Sequence, residues 1–213
     1  MTAHDPEIRP VVGLPGPLPA GETALWSGRP DAWALARDAL AARWVGAYFV
    51  ALAAWRFGAL SDTRPLGEAL AAGAWMLAAG AAAVGLLCLF AFAQARATTY
   101  TITTRRVVMR VGAALPVTFN LPFRQIETAA LSERRDGTGS IAFSLDGGAR
   151  LSYLVLWPHV RPWRFSPTAP ALRCVPDAAK VARILGEAAS REVAAPVVAR
   201  RPRAAAAAAI AAE

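Results

Sequence analysis

Residues 69–95 read ALAAGAWMLAAGAAAVGLLCLFAFAQA, without one charged side chain. Roughly 20 apolar residues carry a helix across the hydrocarbon of a bilayer, so this run is long enough to span with room for tilt. The same run also reads as a buried helix of a soluble protein. Composition favours lipid, because hydrophobic residues make up 55% of the 213-residue chain and charged residues only 18%.

Upstream, Trp44 to Trp55 is apolar, Arg56 interrupts, and Phe57 to Leu60 resumes. A helix over 44–60 reaches about 25 Å, short of a full crossing unless the bilayer thins or Arg56 extends to the far interface. A helix lying in the interfacial plane is the rival. Arginines decide for two crossings. Arg37 and Arg43 flank one end of the hairpin and Arg96, Arg105, Arg106 and Arg110 the other, whereas the turn from Ser61 to Glu68 holds Asp62, Arg64 and Glu68. The positive-inside tendency then puts both termini in the cytoplasm and the turn outside. Residues 44–95 are thus expected to form a transmembrane helical hairpin.

Two small-xxx-small pairs, Ala69 with Gly73 and Ala81 with Gly85, are candidate helix-packing positions. Such faces let helices approach closely in lipid, which makes a homo-oligomer plausible. An Ala-rich chain also produces these pairs by chance.

Residues 1–20 read as a flexible lead, since Pro, His4, Asp5 and Glu7 do not follow the basic-then-apolar order of a signal peptide. Over 21–43 a short strand around Leu25, closed by Gly28 and Pro30, precedes Asp31 as a helix cap. Trp33, Ala36, Leu40 and Trp44 follow at helical spacing, which suits a helix entering through the head-group layer.

After Arg96 the period becomes two. Tyr100 and Ile102 alternate with threonines. Val107, Met109 and Val111 follow, then Leu115, Val117, Phe119 and Leu121, then Ile141, Phe143 and Leu145, then Leu151, Tyr153 and Val155. Alternation buries one face of a strand, and Asp136-Gly137 and Asp146-Gly147-Gly148 suit hairpin turns. Five or more short antiparallel strands predict a small barrel or sandwich. Pro176 and Asp177 open a helix whose stripe of Val181, Ile184, Leu185 and Ala188 caps it. The fold expected over 96–190 is therefore an α+β domain, with 191–213 an Arg/Ala-rich tail.

That region is basic, with sixteen Arg and Lys180 between Arg96 and Arg203 against seven acids. Beside a bilayer, the simplest partner is an anionic lipid surface. Lys180 is the sole lysine, so the arginines partly reflect compositional bias and argue weakly for nucleic acid, which is not expected as a partner. Cys88 and Cys174 are too few for a disulfide framework or zinc site. No catalytic arrangement, metal site or cofactor is expected, because no nucleophile has a His-acid pair around it.

Trp157, His159, Arg161, Trp163 and Arg164 form a Pro-punctuated loop of residue types that dominate protein contacts and equally suit a membrane surface. Trp157 also reads as a core filler. His159 reads as an ordinary hydrogen-bonding loop histidine rather than a pigment ligand. Arg124 and Gln125 are a second candidate contact surface or a solvated edge.

Tyr100-Thr101-Ile102-Thr103-Thr104-Arg105-Arg106-Val107-Val108, with the upstream Gly21-Glu22 and Leu25-Trp26 pairs and Pro30, resembles the bacterial pleckstrin-homology-like membrane domains. The stretches from Leu115 to Glu127, from Leu156 to Trp163 and from Leu172 to Asp177 are similar to the photosynthetic-complex assembly proteins of purple bacteria. The resemblance runs from about Leu14 to Ala189. It implies a non-enzymatic assembly factor contacting reaction-centre subunits, and possible antenna partners, in the inner or intracytoplasmic membrane. A general lipid-binding or scaffolding module is the alternative.

Overall fold

A computed structural model describes residues 16, 18–113, 115–146, 152–162 and 167–194. The first strand, β1 (Ala24–Gly28), is followed by α1 (Ala32–Ala34), which continues as a π-helical turn over Leu35–Ala39. Two long helices come next, α2 (Ala42–Ser61) and α3 (Leu66–Ala97). Then come β2 (Thr99–Thr103), β3 (Arg106–Val111), β4 (Val117–Pro122), β5 (Ile126–Glu133) and β6 (Gly139–Leu145). A single-turn α4 (Tyr153–Leu156), β7 (Ala171–Val175) and α5 (Ala178–Ala194) complete the described chain.

Two antiparallel sheets, in orders β1-β2-β3-β4 and β5-β6-β7, make the β domain. The alternating residues meet between them: Tyr100, Ile102, Val107, Met109, Val111 and Leu121 pack against Ile141, Phe143, Leu172 and Val175. Val181, Leu185 and Ala188 of α5 close the same core. Strand β1 pairs with β2, so the α2–α3 hairpin is an excursion between neighbouring strands of one sheet. Gly28 is required there, since a Cβ would collide with the Trp26 indole.

Several expectations change in detail. The helix read through Trp33, Leu40 and Trp44 is broken at Ala41, whose φ is +55°. Strand β4 starts at Val117, and Leu115 precedes it exposed. Tyr153 and Val155 belong to a helical turn rather than a strand. Helix α5 starts at Ala178, with Pro176 and Asp177 in the turn before it and Asp177 at φ +50°. The Asp136-Gly137 turn does join β5 to β6, with Gly137 at φ +76°. The turn expected at Asp146-Gly147-Gly148 lies largely outside the described residues, as do most of 1–20 and the tail beyond 194.

The two long helices pack on each other and, beyond the domain end of α3, are largely bare elsewhere. Ala69, Gly73 and Gly80 of α3 are buried against α2, where a Cβ on Gly80 would stand 2.5 Å from Phe49 Cβ. Ala69 and Gly73 therefore pack within the chain. Ala81 and Gly85 lie on the exposed side, with nothing within 4 Å of a Cβ at Gly85. Trp44, Tyr48, Trp55, Leu70, Trp75, Leu86, Leu89 and Phe92 all face outward. At 1.5 Å per residue α2 is about 30 Å long and α3 about 48 Å.

Among the described residues, α3 is the one helix long and apolar enough to cross a membrane, by length and composition. Only 11% of its apolar window is buried, unlike the core helix of a soluble domain. Helix α2, which carries Arg43 and Arg56, does not meet that measure, so the expected second crossing is not supported. Gly80→Leu is expected to force the helices apart and cost about 1–3 kcal/mol, while Gly85→Leu leaves stability unchanged. Thermal unfolding in detergent, followed by helical circular dichroism, checks the contrast.

Candidate functional site

The base of the hairpin is where helices, both parts of the β domain and the 157–162 loop converge. Asp31 caps α1 by accepting from the Ala34 amide at 2.7 Å, while its own amide donates to the Cys174 carbonyl at 2.8 Å. Leu35, Ala36, Leu40 and Ala42 bury against Ala91 and Cys174, with Leu87 and Cys88 at the margin. The segment before α2 is thus wedged between the last turns of α3 and strand β7.

Charge reinforces the wedge. Arg37 donates to Asp38 at 3.1 Å and to Asp136 at 2.8 Å, and Arg134 meets Asp38 at 2.6 Å. Hydrogen bonds from Thr138 and then Arg37 hold the Asp136 carboxyl down at about 2. Bonds to Asp38 and Asp136 hold Arg37 above its ordinary range. The Asp38 carboxylate is nearly buried, so its two arginines answer a desolvated charge. This network ties the hairpin base to the β5–β6 turn.

Beside it opens a cavity of about 440 Å³, walled by Asp38, Arg134, Ser140, Arg161 and Arg173 among others. Arg173 is 7% exposed. Its Nη1 donates to the Val160 carbonyl at 3.2 Å and Nη2 to the Asp38 carbonyl at 3.5 Å, and Nε has no partner. Cys174 next to it is inert, since burial pushes its thiol up to about 11. A second hollow of about 280 Å³ shares Asp38, Pro162 and Arg173, and runs past Trp157 and Pro158 to Ala41 at the start of α2.

Of the expected contact loop, Trp157 is 42% exposed and stacks on Phe90 of α3, ring centroids 5.8 Å apart. It fastens the loop to the hairpin and is not a core filler. Arg161 is exposed. Trp163 and Arg164 lie outside the described residues.

His159 corrects the expectation of a contact residue, for it is 1% exposed. Its Nδ1 lies 2.6 Å from the Tyr100 hydroxyl and its Nε2 3.0 Å from Thr98 Oγ1. The Tyr100 oxygen accepts the Arg173 amide, so its hydroxyl donates to Nδ1 and the ring proton sits on Nε2. Burial, with Arg173 nearby, pushes the imidazole down to about 3. It is a neutral, fully engaged core histidine with no free nitrogen for a ligand.

Arg124 and Gln125 are exposed on a 3-10 turn at the other side of the domain, and Arg124 lies 3.6 Å from Glu192 of α5. That pair draws Arg124 toward the closing helix. The structure does not bring it to the 157–162 loop. Sequence reading missed Asp38, Arg134 and Arg173 as a set, because their 39- to 135-residue separations leave no local spacing to find.

Over 213 residues the chain is 48% identical to a Rhodobacter capsulatus protein named "Uncharacterized 23.7 kDa protein in puhA 5′ region", covering 99% of this chain and 100% of that relative. No solved structure matches. A family model described as "Bacterial PH domain" matches residues 40–189, from the start of α2 to the buried stripe of α5. Two antiparallel sheets closed by a helix are consistent with that match, and the chain belongs to the bacterial PH domain family.

Proposed function

We propose that this chain is a non-enzymatic, membrane-anchored assembly factor for the photosynthetic reaction centre, of the PuhB type. The observation that carries the reading is the outward apolar surface of α2 and α3, rooted in a basic PH domain. Helix α2, about 30 Å long, matches a hydrocarbon core of about 30 Å, and α3, about 48 Å long, exceeds it and reaches into the head-group layers. Arg37, Arg43 and Arg96 stand at the domain end, which supports a cytoplasmic side for that end and both termini by the positive-inside tendency. The hairpin packs beside nascent helices in lipid, with Ala81 and Gly85 on its open side, and the domain works at the head-group surface. The location in the relative's name, the puhA 5′ region, supports the photosynthetic assignment.

Deleting the gene in a phototroph is expected to lower reaction-centre absorbance in isolated membranes several-fold, with or without loss of antenna, while growth in the dark is unaffected. Normal reaction-centre absorbance defeats the reading. The second reading, a general lipid-binding module, is favoured by the arginines around the basal cavity. It requires impaired growth in darkness as well as in light.

A further inference from the structure

We propose that the cavity at the hairpin base binds a phosphate group, supplied by an anionic lipid head group at the membrane surface. The lipid source rests on the membrane placement proposed above; the phosphate chemistry does not.

Three arginines, Arg134, Arg161 and Arg173, line this cavity against one carboxylate, Asp38. That carboxylate is already neutralised by Arg37 and Arg134. Arg161 and Arg173 have no carboxylate partner among the described residues, which leaves the wall with surplus positive charge. Arginine forks suit phosphate oxygens, and such charge-assisted bonds are among the strong ones.

Arg173 supplies the built part of the site. It is more than nine-tenths buried, on a strand, and the Val160 and Asp38 carbonyls fix the guanidinium plane. Those two bonds engage two of its five N–H groups, and its Nε, which has no partner among the described residues, has almost no accessible surface. The other Nη hydrogens are the donors left for an incoming phosphate oxygen. Ser140, whose oxygen accepts the Cys174 amide at 3.2 Å, has a hydroxyl proton to offer on the same wall.

The shape points to a lipid rather than a free ion. A volume of about 440 Å³ exceeds what phosphate alone fills and accommodates a glycerophosphate. The adjoining hollow continues past Trp157 to Ala41, toward the apolar helices. A lipid seated this way places its phosphate among the arginines and its chains along the hairpin.

The test is thermal unfolding of the full-length protein in neutral detergent, titrated with dihexanoylphosphatidylglycerol, inorganic phosphate or dihexanoylphosphatidylcholine. Phosphatidylglycerol is expected to raise Tm by several degrees at concentrations where phosphatidylcholine, whose choline offsets the phosphate, does little. Arg161→Gln, at an exposed position, is expected to keep the basal Tm and shift the titration midpoint about tenfold. Arg173→Lys, which keeps the charge and loses the guanidinium fork, serves as the second variant. Equal response to inorganic phosphate supports the phosphate site and overturns the lipid as its source. Absence of any shift, or variants titrating as wild type, overturns the site. Sedimentation without detergent tests membrane anchoring separately, so either proposal can fail alone.

Discussion

His159→Leu is expected to lower the unfolding free energy by about 3 kcal/mol, because two buried hydroxyls, on Thr98 and Tyr100, lose their partner at roughly 1–3 kcal/mol each. The same substitution changes how stability depends on pH. The folded imidazole is held near 3 against an ordinary 6.5, so in the window between those values the unfolded chain binds one more proton than the folded one. Stability is therefore fully present above about 6.5 and declines as pH falls, by up to about 1.4 kcal/mol per unit. At pH 5 the loss amounts to about 2 kcal/mol. Carboxylates with lowered values act only below their ordinary range, so the decline between pH 6.5 and 5 isolates this ring. Denaturant unfolding of detergent-solubilised protein at pH 7.5 and pH 5 measures both effects. A wild-type protein equally stable at the two pH values refutes the buried neutral histidine, as does a His159→Leu variant that keeps the wild-type slope.

Where one face of a strand is buried and the other is plain, the sequence is easily read. Tyr100 and Ile102, then Val107, Met109 and Val111, enter the core as their alternation requires. The threonines that alternate with Tyr100 and Ile102 take the other face of β2, yet the strand is buried throughout, with Thr101 facing Ser27 and Thr103 bonded to Glu22. Alternation marks one buried face and carries no information about a polar face covered by another element. Strand β7 escaped notice because Arg173 interrupts its apolar run and Cys174 takes a φ of +52°. Conversely, Tyr153 and Val155 alternate correctly and still form a helical turn, since a run so short fits both periods. The two long apolar helices were legible from composition, since neither carries a polar side. The small-residue pairs were legible only in part. Ala69 and Gly73 are at the helix–helix contact, but Gly80 and not Ala81 or Gly85 makes the closest approach. The basal cavity was illegible, being assembled from α1's continuation, the β5–β6 turn and β7.

Glu22→Ala is expected to cost about 3 kcal/mol, the low end of the range for breaking a buried ion pair, since the Arg106 side chain keeps 27% of its exposure. Both carboxylate oxygens receive Arg106, from Nε and Nη2 at 2.8 Å each, and Thr103 donates to one of them at 2.7 Å. Glu22 lies just before β1, so these bonds clamp the segment leading into β1 onto the β2–β3 turn, aided by the Thr104 amide donating to Thr23 at 3.0 Å. β1 is separated from its partner β2 by the whole hairpin, and holding that pairing closed is what the clamp does. Burial alone would raise the carboxyl, but the bonds from Arg106 and Thr103 and the charges of Arg106 and Arg105 outweigh it and leave the group below its ordinary 4.5. A lowered folded value gives stability that is present above about 4.5 and is lost as pH falls through the folded value. The gap between wild type and Glu22→Ala should accordingly hold at pH 7 and pH 5 and narrow only in stronger acid. Glu22→Gln, which keeps the shape without the charge, should fall between the two. A Glu22→Ala protein within 1 kcal/mol of wild type at pH 7 would mean that the β1–β2 ladder closes without the clamp.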